Sequence, residues 1–440
     1  MASRYRNRNR NRNSRGKVAK WKVALLSFEA LVIVMYLLVT SVYAWYKVDK
    51  IGFIKAASKS TILRGLISGT DTAKSYEKNV QDKDFNKDNV KINEGVSKKT
   101  ETYLNIALFG IDSRSEDFDD GSRSDSIIVV SINSKTGKVR MASVYRDTML
   151  KITDSDGDVT YTKANAGFAI GGAEGAINML NTNLDLNITD YAVVNFTGLA
   201  TIIDKLGGID VKISWDELTY INGYLTETRK ITGLDTPDLT AADYGEDGLV
   251  HLTGLQATAF CRIRYVPFTD VDGQVYRDDY GRTARQRFVI KQLVEKAKAA
   301  GSDQVISIAK DILNQGSGDE KIFATSLSIN EIFDLIPTVL DFELGESIGF
   351  PFTCDTPKVN GASMVVAQGL TYNVSKLHDA MFDEKNYEPS STVKEISDYI
   401  TSYTGVPTVV LEGDEDTVNE YGSTSNEDGY STEGNSNSNY

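Results

Sequence analysis

Residues 104–148 constrain the fold more than any other part of this 440-residue chain. The stretch contains three short apolar runs that are rich in branched residues and separated by Gly, Asp and Ser, at residues 106–109, 127–132 and 139–144. Runs of this length and composition predict three β-strands. If the first and third strands run parallel and the second runs against them, the residues that flank the strands gather at one edge of a sheet.

Charged residues flank each of these strands on the side that would form this edge. They are Asp112 and Arg114 after the first strand, Arg123 and Asp125 before the second, and Arg146 and Asp147 after the third. Open α/β sheets bind ligands at such an edge. Arg side chains fit phosphate oxygens and carboxylates suit Mg²⁺, so the mixture predicts a phosphate ligand with a divalent cation. Each pair taken alone also fits an ordinary ion pair on a solvated loop.

The first 22 residues form a basic arm with nine Lys or Arg residues and no acid, although the whole chain has a net charge of -13. The remainder is therefore strongly acidic, which argues against specific or non-specific nucleic-acid binding by the body of the protein. The two Cys and two His residues exclude a disulfide-rich scaffold and a Cys₄ or His-rich metal centre. A disulfide between Cys261 and Cys354 remains open.

Residues 23–46 are predicted to form one transmembrane helix. Their centre, residues 24–43, is apolar with a single charge at Glu29, and this length spans a bilayer. A cleaved signal peptide would have a shorter apolar region, followed by a small-residue cleavage site. Because basic residues stay on the cytoplasmic side, we expect a single-pass protein of the cell membrane with a cytoplasmic N-terminus and an extracellular body.

The rest of the chain divides into a folded body and polar flanks. Residues 47–101 form a polar juxtamembrane connector, residues 387–411 a C-terminal helix with an extension, and residues 412–440 an acidic tail with almost no aliphatic residues, predicted to be disordered. Strand, helix and strand patterns alternate over residues 173–213. This alternation predicts an α/β class: a layered α/β/α domain with a central mixed sheet, preceded by the transmembrane helix.

A second anion signal lies further along the chain. Residues 260–265 alternate as a strand would, which places Arg262 and Arg264 on one face and Cys261 on the other. A long helix is predicted to begin near Thr283, with Arg282, Arg285 and Gln286 in or beside its first turn, where the helix dipole also attracts anions. Salt bridges to the many acids are the alternative. The Asp154–Asp158 sequence DSDGD resembles a calcium loop but lacks its Gly and Glu, so a hairpin turn is favoured.

Seven segments together resemble the LytR-CpsA-Psr family. They are LNIALFGIDSR, GSRSDSIIVVSIN, SVYRDT, KANAGFAIGG, NFTGLATIIDKLGGIDV, LTGLQATAFCRIRY and DDYGRTARQRFVI. They occur in the family's order over residues 102–300. The sequence departs modestly: Tyr145 replaces the usual Pro, Ser126 the usual Thr, and Asn165 the common His. No charged residue of the site is lost.

The resemblance implies an extracellular catalytic domain at residues 102–386. This domain would transfer a glycopolymer, such as wall teichoic acid or capsular polysaccharide, from a polyprenyl-diphosphate carrier to peptidoglycan at the cytoplasmic membrane. By motif position, Asp112 and Asp125 would hold Mg²⁺ (or Mn²⁺). Six residues would bind the diphosphate: Arg123, Arg146, Arg262, Arg264, Arg282 and Gln286. Lys163 and Arg285 are weaker candidates for the same role. Asp112, Arg146 and Arg262 would act in catalysis, with Asp112 as the base.

Two other functions fit the same resemblance. A membrane-bound regulator or transcriptional attenuator is one, although the sequence lacks a helix-turn-helix pattern and its body is acidic. A hydrolase of polyprenyl-diphosphate-linked glycans is the other.

The polyprenyl tail would lie in an apolar tunnel between sheet and helices, beside Phe196 and Ile202. Phosphoryl transfer depends mainly on positioning and charge neutralisation, so no nucleophilic side chain is required.

Overall fold

The three strands predicted at residues 104–148 lie together in a central sheet. The computed structural model describes residues 80–96, 98, 100–111, 118, 121–133, 136–300, 322–328 and 343–408. Its strands are β1 (Tyr103–Ile111), β2 (Ser124–Asn133), β3 (Lys138–Val144), β4 (Met149–Thr153), β5 (Val159–Lys163), β6 (Asp190–Val194), β7 (Ile209–Lys212), β8 (Leu249–Leu252), β9 (Phe268–Thr269), β10 (Val275–Tyr276), β11 (Phe323–Thr325), β12 (Glu343–Phe350), β13 (Cys354–Asp355), β14 (Lys358–Val359), β15 (Ala362–Ser363) and β16 (Val366–Ala367).

Its α-helices complete the layers on both sides of the sheet. They are α1 (Ala166–Leu184), α2 (Phe196–Lys205), α3 (Trp215–Thr232), α4 (Gly254–Phe260), α5 (Asp278–Ala300), α6 (Leu370–Phe382) and α7 (Ser391–Thr404). Capping boxes fix where two of them begin. Ser214 and Glu217 form a capping box at the start of α3, and Thr253 and Gln256 form another at the start of α4.

The central sheet has six strands in the order β11-β6-β1-β2-β3-β12. Strand β2 is antiparallel to both β1 and β3, so β1 and β3 run in the same direction, and the condition for gathering the charged residues at one sheet edge is met. Strand β6 is parallel to β1, β12 is parallel to β3, and β11 is antiparallel to β6. The predicted mixed sheet is therefore confirmed, and the start of β2 lies beside the end of β3.

Alternating side chains of the strands supply two hydrophobic cores, one on each face of the sheet. Ile106 points into a core shared with helices α2, α3, α4 and α5. Ala107 and Phe109 point into the other core, which is shared with α1, α6 and α7. Each apolar face of the sheet is thus covered by helices, which confirms the predicted α/β/α layering.

Residues 80–96, at the end of the predicted connector, pack against the domain. The Asp82 amide donates to the carbonyl oxygen of Thr325 at 2.8 Å. The Asn93 side chain donates to Asp185 at 2.7 Å, next to the end of α1. This part of the chain is therefore fastened to the sheet and to α1.

The predicted arm (residues 1–22), transmembrane helix (23–46) and acidic tail (412–440) lie outside the described residues. Among the described helices, none has both the length and the apolar composition needed to cross a bilayer. The Asp154–Asp158 segment is described, and it forms the turn between the antiparallel strands β4 and β5. Asp154 Oδ1 accepts hydrogen bonds from the amides of Asp156 and Asp158, so the predicted hairpin turn is confirmed.

Candidate functional site

The ends of β2 and β3 bring Asp125 and Arg146 together, as the strand directions predict. Arg146 Nη1 lies 2.8 Å from Asp125 Oδ1, and Arg146 Nε lies 3.7 Å from Asp279 Oδ1. Burial disfavours the charge of Arg146, but the carboxylates of Asp279 and Asp125 outweigh that effect and raise its pKa. Arg146 is therefore a fixed cation at the sheet edge.

Helix α4 and the turn after it present Arg262 and Arg264, and the predicted strand at residues 260–265 is wrong. The helix ends at Phe260, and the amides of Cys261 and Arg262 bond to the carbonyl oxygens of Ala257 and Ala259. In a strand, Tyr265 would lie on the same face as Cys261, but Cys261 is buried and Tyr265 is 72% exposed. The turn still directs both Arg side chains into one pocket.

Helix α5 begins at Asp278, five residues before the predicted start. The acidic Asp278 and Asp279 occupy its first turn, where they suit the helix dipole. Arg282 and Gln286 follow one and two turns later and share a face because they are four residues apart. The prediction that Arg282 and Gln286 lie in or beside the first turn, where the helix dipole also attracts an anion, is thus wrong. Both residues nevertheless line the pocket.

Arg282 connects α5 to the start of β2. Its Nη2 lies 3.0 Å from Asp279 Oδ2 and donates to the carbonyl oxygen of Asp125 at 3.0 Å. Burial lowers the pKa of Arg282 to about 10; Asp279 opposes the change and the nearby charge of Arg146 adds to it. The guanidinium remains charged at neutral pH, but its positive charge is incompletely neutralised.

These residues form one pocket, which we call the cationic pocket. It is lined by Asp125, Phe196, Tyr224, Cys261, Arg262, Arg264, Arg282 and Gln286. The Arg262 guanidinium lies 4.9 Å from the centroid of the Phe196 ring and 5.3 Å from that of Tyr224. It also donates at 2.8 Å to Thr228 and to Glu227. Arg262 is therefore held in one orientation before any ligand arrives.

An apolar cleft opens from the cationic pocket and runs between the sheet and helices α2, α4 and α5. The empty space there is about 980 Å³, a figure that includes open solvent at the mouth. Apolar side chains line it, among them Leu108, Ile128, Val194, Leu199, Ile202, Val289 and Leu293. Five residues line both cavities: Asp125, Phe196, Cys261, Arg262 and Gln286. The two cavities therefore form one continuous space with a polar end and an apolar end.

Four buried polar atoms of the site have no hydrogen-bond partner within the described chain. They are Arg146 Nε, Asp279 Oδ1, Arg282 Nε and Gln286 Oε1. Buried polar atoms are almost always hydrogen-bonded in folded proteins. Arg146 Nε and Asp279 Oδ1 face each other at 3.7 Å, whereas Arg282 and Gln286 line the cationic pocket, where their two atoms indicate a position prepared for a polar ligand.

The remaining predicted site residues lie at different places. Asp112 lies outside the described residues. Arg123 is exposed directly before β2. Lys163 Nζ lies 2.9 Å from Asp147 Oδ1, at the rim beside Arg146 rather than among the residues that line the cationic pocket.

Arg285 requires a correction, because the structure places it in the core and not in the cationic pocket. Its side chain is fully buried, and its Nη2 lies 2.6 Å from Glu217 Oε1. It also donates to the carbonyl oxygens of Ile263 and Val266. Arg285 thus fixes the turn that carries Arg264, and its charge is already paired.

Three residues of the site were missed by the sequence-based analysis: Asp279, Tyr224 and Glu227. Asp279 stands in the DDYGRTARQR segment, so its position before three Arg residues was a usable signal. Tyr224 and Glu227 lie on α3, and no local pattern shows that this helix faces the pocket. Both cysteines are free, and burial raises the pKa of the Cys261 thiol to about 12.

Comparison with known proteins gives a consistent result. The LytR_cpsA_psr family matches residues 62–368. The Biofilm regulatory protein A of Streptococcus mutans is 33% identical over 244 residues, which is 54% of this chain and 53% of that protein. The polyisoprenyl-teichoic acid–peptidoglycan teichoic acid transferase TagU of Bacillus anthracis is 31% identical over 247 residues, which is 56% of this chain and 67% of that protein. This chain thus matches about half of the first relative's length.

A solved structure shares the fold. The crystal structure of a Streptococcus agalactiae protein matches with a TM-score of 0.51 and 25% identity, covering 67% of this chain and 94% of that one. The layered arrangement around a mixed sheet is therefore found in an experimentally determined protein.

Proposed function

The chain belongs to the LytR_cpsA_psr family, and we propose that it transfers a glycopolymer from a polyprenyl-diphosphate carrier to peptidoglycan. The observation that carries the proposal is the continuity of the cationic pocket with the apolar cleft. A polyprenyl diphosphate has a charged head and a long hydrocarbon tail. The combined cavity offers guanidinium groups to the head and apolar side chains to the tail.

The cationic pocket suits a diphosphate better than a single carboxylate. Arg262, Arg264 and Arg282 surround one space, and burying several negative charges requires several paired cations. Arg side chains also bind phosphate oxygens through two parallel hydrogen bonds. Arg282 Nε has no hydrogen-bond partner among the described residues, and a phosphate oxygen would satisfy this donor.

In the proposed reaction, a hydroxyl oxygen of a peptidoglycan sugar attacks the phosphorus that bears the glycopolymer. A new P–O bond forms, the bond from this phosphorus to the bridging oxygen breaks, and polyprenyl phosphate leaves. The hydroxyl proton passes to a base, for which Asp112 stays the predicted candidate. Arg146, Arg262 and Arg282 would hold the diphosphate in place and neutralise the charge that moves to the leaving oxygen.

We propose a divalent cation, Mg²⁺ or Mn²⁺, at this edge, although the described residues alone contain no group of three His, Cys, Asp or Glu side chains that could hold one. Asp279 Oδ1 is buried and accepts no hydrogen bond from the described residues, although it lies 3.5 Å from Arg264 Nε and 3.7 Å from Arg146 Nε, and Asp125 lies across Arg146 from it. Carboxylate oxygens are the ligands that Mg²⁺ prefers. We propose that Asp125, the predicted Asp112 and also Asp279 hold the ion, which would supply positive charge to the diphosphate oxygens. Asp125→Ala should raise the Mg²⁺ concentration needed for half-saturation, measured by calorimetry on the full chain.

We also propose that the protein is anchored in the cell membrane with its catalytic domain outside, on the sequence evidence of residues 1–46. Protease added to intact protoplasts should then remove the domain and leave the basic arm. A domain that is protected from the protease would contradict this topology.

The proposed activity can be tested with the full chain in detergent, a polyprenyl-diphosphate-linked glycan and peptidoglycan fragments. The expected products are glycan joined to peptidoglycan through a phosphate and one equivalent of polyprenyl phosphate. Release of free glycan phosphate alone would identify a hydrolase instead. If neither product forms, while the purified protein binds the carrier, a regulatory role would replace the transferase.

A further inference from the structure

Two exposed tyrosines lie side by side near the opening of the cationic pocket. The ring centroids of Tyr220 and Tyr265 are 6.2 Å apart, and their planes are 38° apart. Tyr265 is 72% exposed and Tyr220 is 37% exposed. We call this pair the tyrosine ledge. Large aromatic side chains bury 150–250 Å² when they are covered, so two exposed rings in contact provide a ready binding surface.

The tyrosine ledge is continuous with the cationic pocket along both of the elements that form it. Tyr220 lies one turn before Tyr224 on α3, and Tyr224 lines the pocket. Tyr265 directly follows Arg264, which also lines the pocket. Burial raises the pKa of Tyr224, with Arg264 opposing and the neighbouring Tyr265 phenol adding to the rise, so these rings are close neighbours.

The chemistry around the ledge suits a saccharide. Ring faces of Tyr carry partial negative charge and attract the C–H bonds on one side of a pyranose. Hydrogen-bonding groups for sugar hydroxyls lie close by: the side chain of Arg264 is 34% exposed and that of Glu227 is 52% exposed. Gly223 lies between Tyr220 and Glu227 on α3, and no atom would obstruct a group placed above it.

The same surroundings argue against contact with an anionic membrane. Asp216 precedes Tyr220 by one turn of α3, and Asp270 and Asp272 lie in the hairpin that follows Tyr265. Negative headgroups attract Lys and Arg and are repelled by acids. A neutral, hydroxyl-rich ligand is therefore better matched to this surface than a lipid bilayer.

We propose that the tyrosine ledge is a saccharide subsite that stacks a pyranose ring at the opening of the cationic pocket. The sugar could be the first one on the donor diphosphate or a sugar of the peptidoglycan acceptor, since both must reach the same phosphorus. The premise that a saccharide reaches this site rests on the proposed function. The ledge acts on the sugar and not on the diphosphate, and this distinction makes the proposal testable.

The experiment compares affinities of the full chain in detergent for three probes. These are bare polyprenyl diphosphate, polyprenyl diphosphate carrying an N-acetylhexosamine disaccharide, and soluble peptidoglycan oligosaccharides. The variants are Tyr265→Ala, Tyr220→Ala and Tyr265→Trp, which keeps a flat ring. Tyr399→Ala is the matched control, because this tyrosine is 44% exposed on α7, against the opposite face of the sheet.

Tyr265→Ala should weaken binding of at least one saccharide probe tenfold or more and leave bare polyprenyl diphosphate within twofold. A loss for the disaccharide carrier assigns the ledge to the donor, and a loss for the oligosaccharides assigns it to the acceptor. Tyr220→Ala should act in the same direction, and Tyr265→Trp should stay within threefold of the wild type. Tyr399→Ala should change nothing.

Several results would overturn the saccharide subsite. They are a wild-type protein that binds neither saccharide, unchanged saccharide affinity in Tyr265→Ala, or an equal loss for the bare carrier. In a separate sedimentation assay with anionic lipid vesicles, a loss of vesicle binding by Tyr265→Ala without a loss of saccharide binding would make the ledge a membrane contact. Saccharide binding that depends on Tyr265 in a protein without transfer activity would contradict only the proposed function.

Discussion

The two faces of the central sheet are built from alternate residues of the same strands and both carry helices, yet the described residues leave a cleft on one face and none on the other. Phe109 and Val193 are each only 1% exposed beneath helices α1, α6 and α7. Their neighbours Leu108 and Val194 point to the opposite face and remain half-buried along the apolar cleft. Apolar side chains at the centre of a sheet are normally covered. The difference indicates that the open face is shaped for an apolar ligand.

On the open face, a buried ion pair and hydrogen bonds hold the elements around the cleft together. Arg285 joins α5 to Glu217 of α3 and to the turn after α4, and it is fully buried. Arg262, Arg264 and Arg282 lie nearby but face the cationic pocket. Under the proposed function, stability and binding are carried by different arginines of the same face. This separation of roles can be tested by substitution.

Glu217→Ala should produce the largest loss of stability. It leaves the buried Arg285 charge without its partner and also removes the capping box of α3. Breaking a buried ion pair in this way costs about 3–5 kcal/mol. Glu227→Ala on the same helix is the control, because this carboxylate is half-exposed and should cost about 1 kcal/mol or less. Equal shifts of the two variants in urea unfolding would refute the separation.

Arg262→Ala should reduce glycopolymer transfer at least tenfold while the domain stays folded. A charge-assisted hydrogen bond contributes about 1.5–3 kcal/mol, and Arg262 is held towards the pocket by Phe196 and Tyr224. Arg262→Lys should also lose activity, because an ammonium cannot reproduce the guanidinium fork. Initial rates and thermal unfolding measure the two effects. Arg229→Ala is the control, because this arginine lies on the same side of the sheet. It should leave the transfer rate per folded protein unchanged.

Val193→Phe and Val194→Phe make the same change at neighbouring positions of β6. On the closed face, Val193→Phe overpacks a filled core and should cost about 1–3 kcal/mol. On the open face, the ring of Val194→Phe can enter the cleft, so it should cost less and should block the binding of polyprenyl diphosphate. Unfolding and binding measurements on both variants test this. A larger loss of stability in Val194→Phe would show that the cleft is already filled by the protein itself.

Asp154→Ala should have the smallest effect. Its carboxylate only bonds to the amides of the β4–β5 turn, so the substitution should leave both transfer and Mg²⁺ dependence unchanged. A loss of activity with this variant would revive the calcium-loop interpretation of the turn.

Local patterns were sufficient where a segment's structure depends on its own residues. The β-branched runs of β1, β2 and β3 and the turn residues between them predicted the strands, whereas their directions were only assumed. The alternation of apolar and charged residues at 260–265 was misleading, because the segment continues from α4 and its amides bond back to the helix. Tertiary context thus overrode a period-2 pattern of only six residues.

Long-range pairing was the part that the sequence could not show. Arg282 and Arg285 are three residues apart on α5, and only the partner of Arg285 at Glu217, 68 residues earlier, assigns it to the core. The role of α3 in the cationic pocket was missed for the same reason. The convergence of Arg262 with Arg282 and Gln286 was inferred correctly in outline, although the helix was predicted to begin at Thr283 and begins at Asp278.

The central claim is that one polyprenyl diphosphate occupies the cationic pocket and the apolar cleft together. It is tested most directly by an experimental structure of the full chain with this lipid bound. We expect the diphosphate within hydrogen-bonding distance of Arg262, Arg264 and Arg282, and the tail between the sheet and helices α2 and α5, covering Leu108 and Val194. A head group bound elsewhere, or a tail that leaves the cleft empty, would contradict the account.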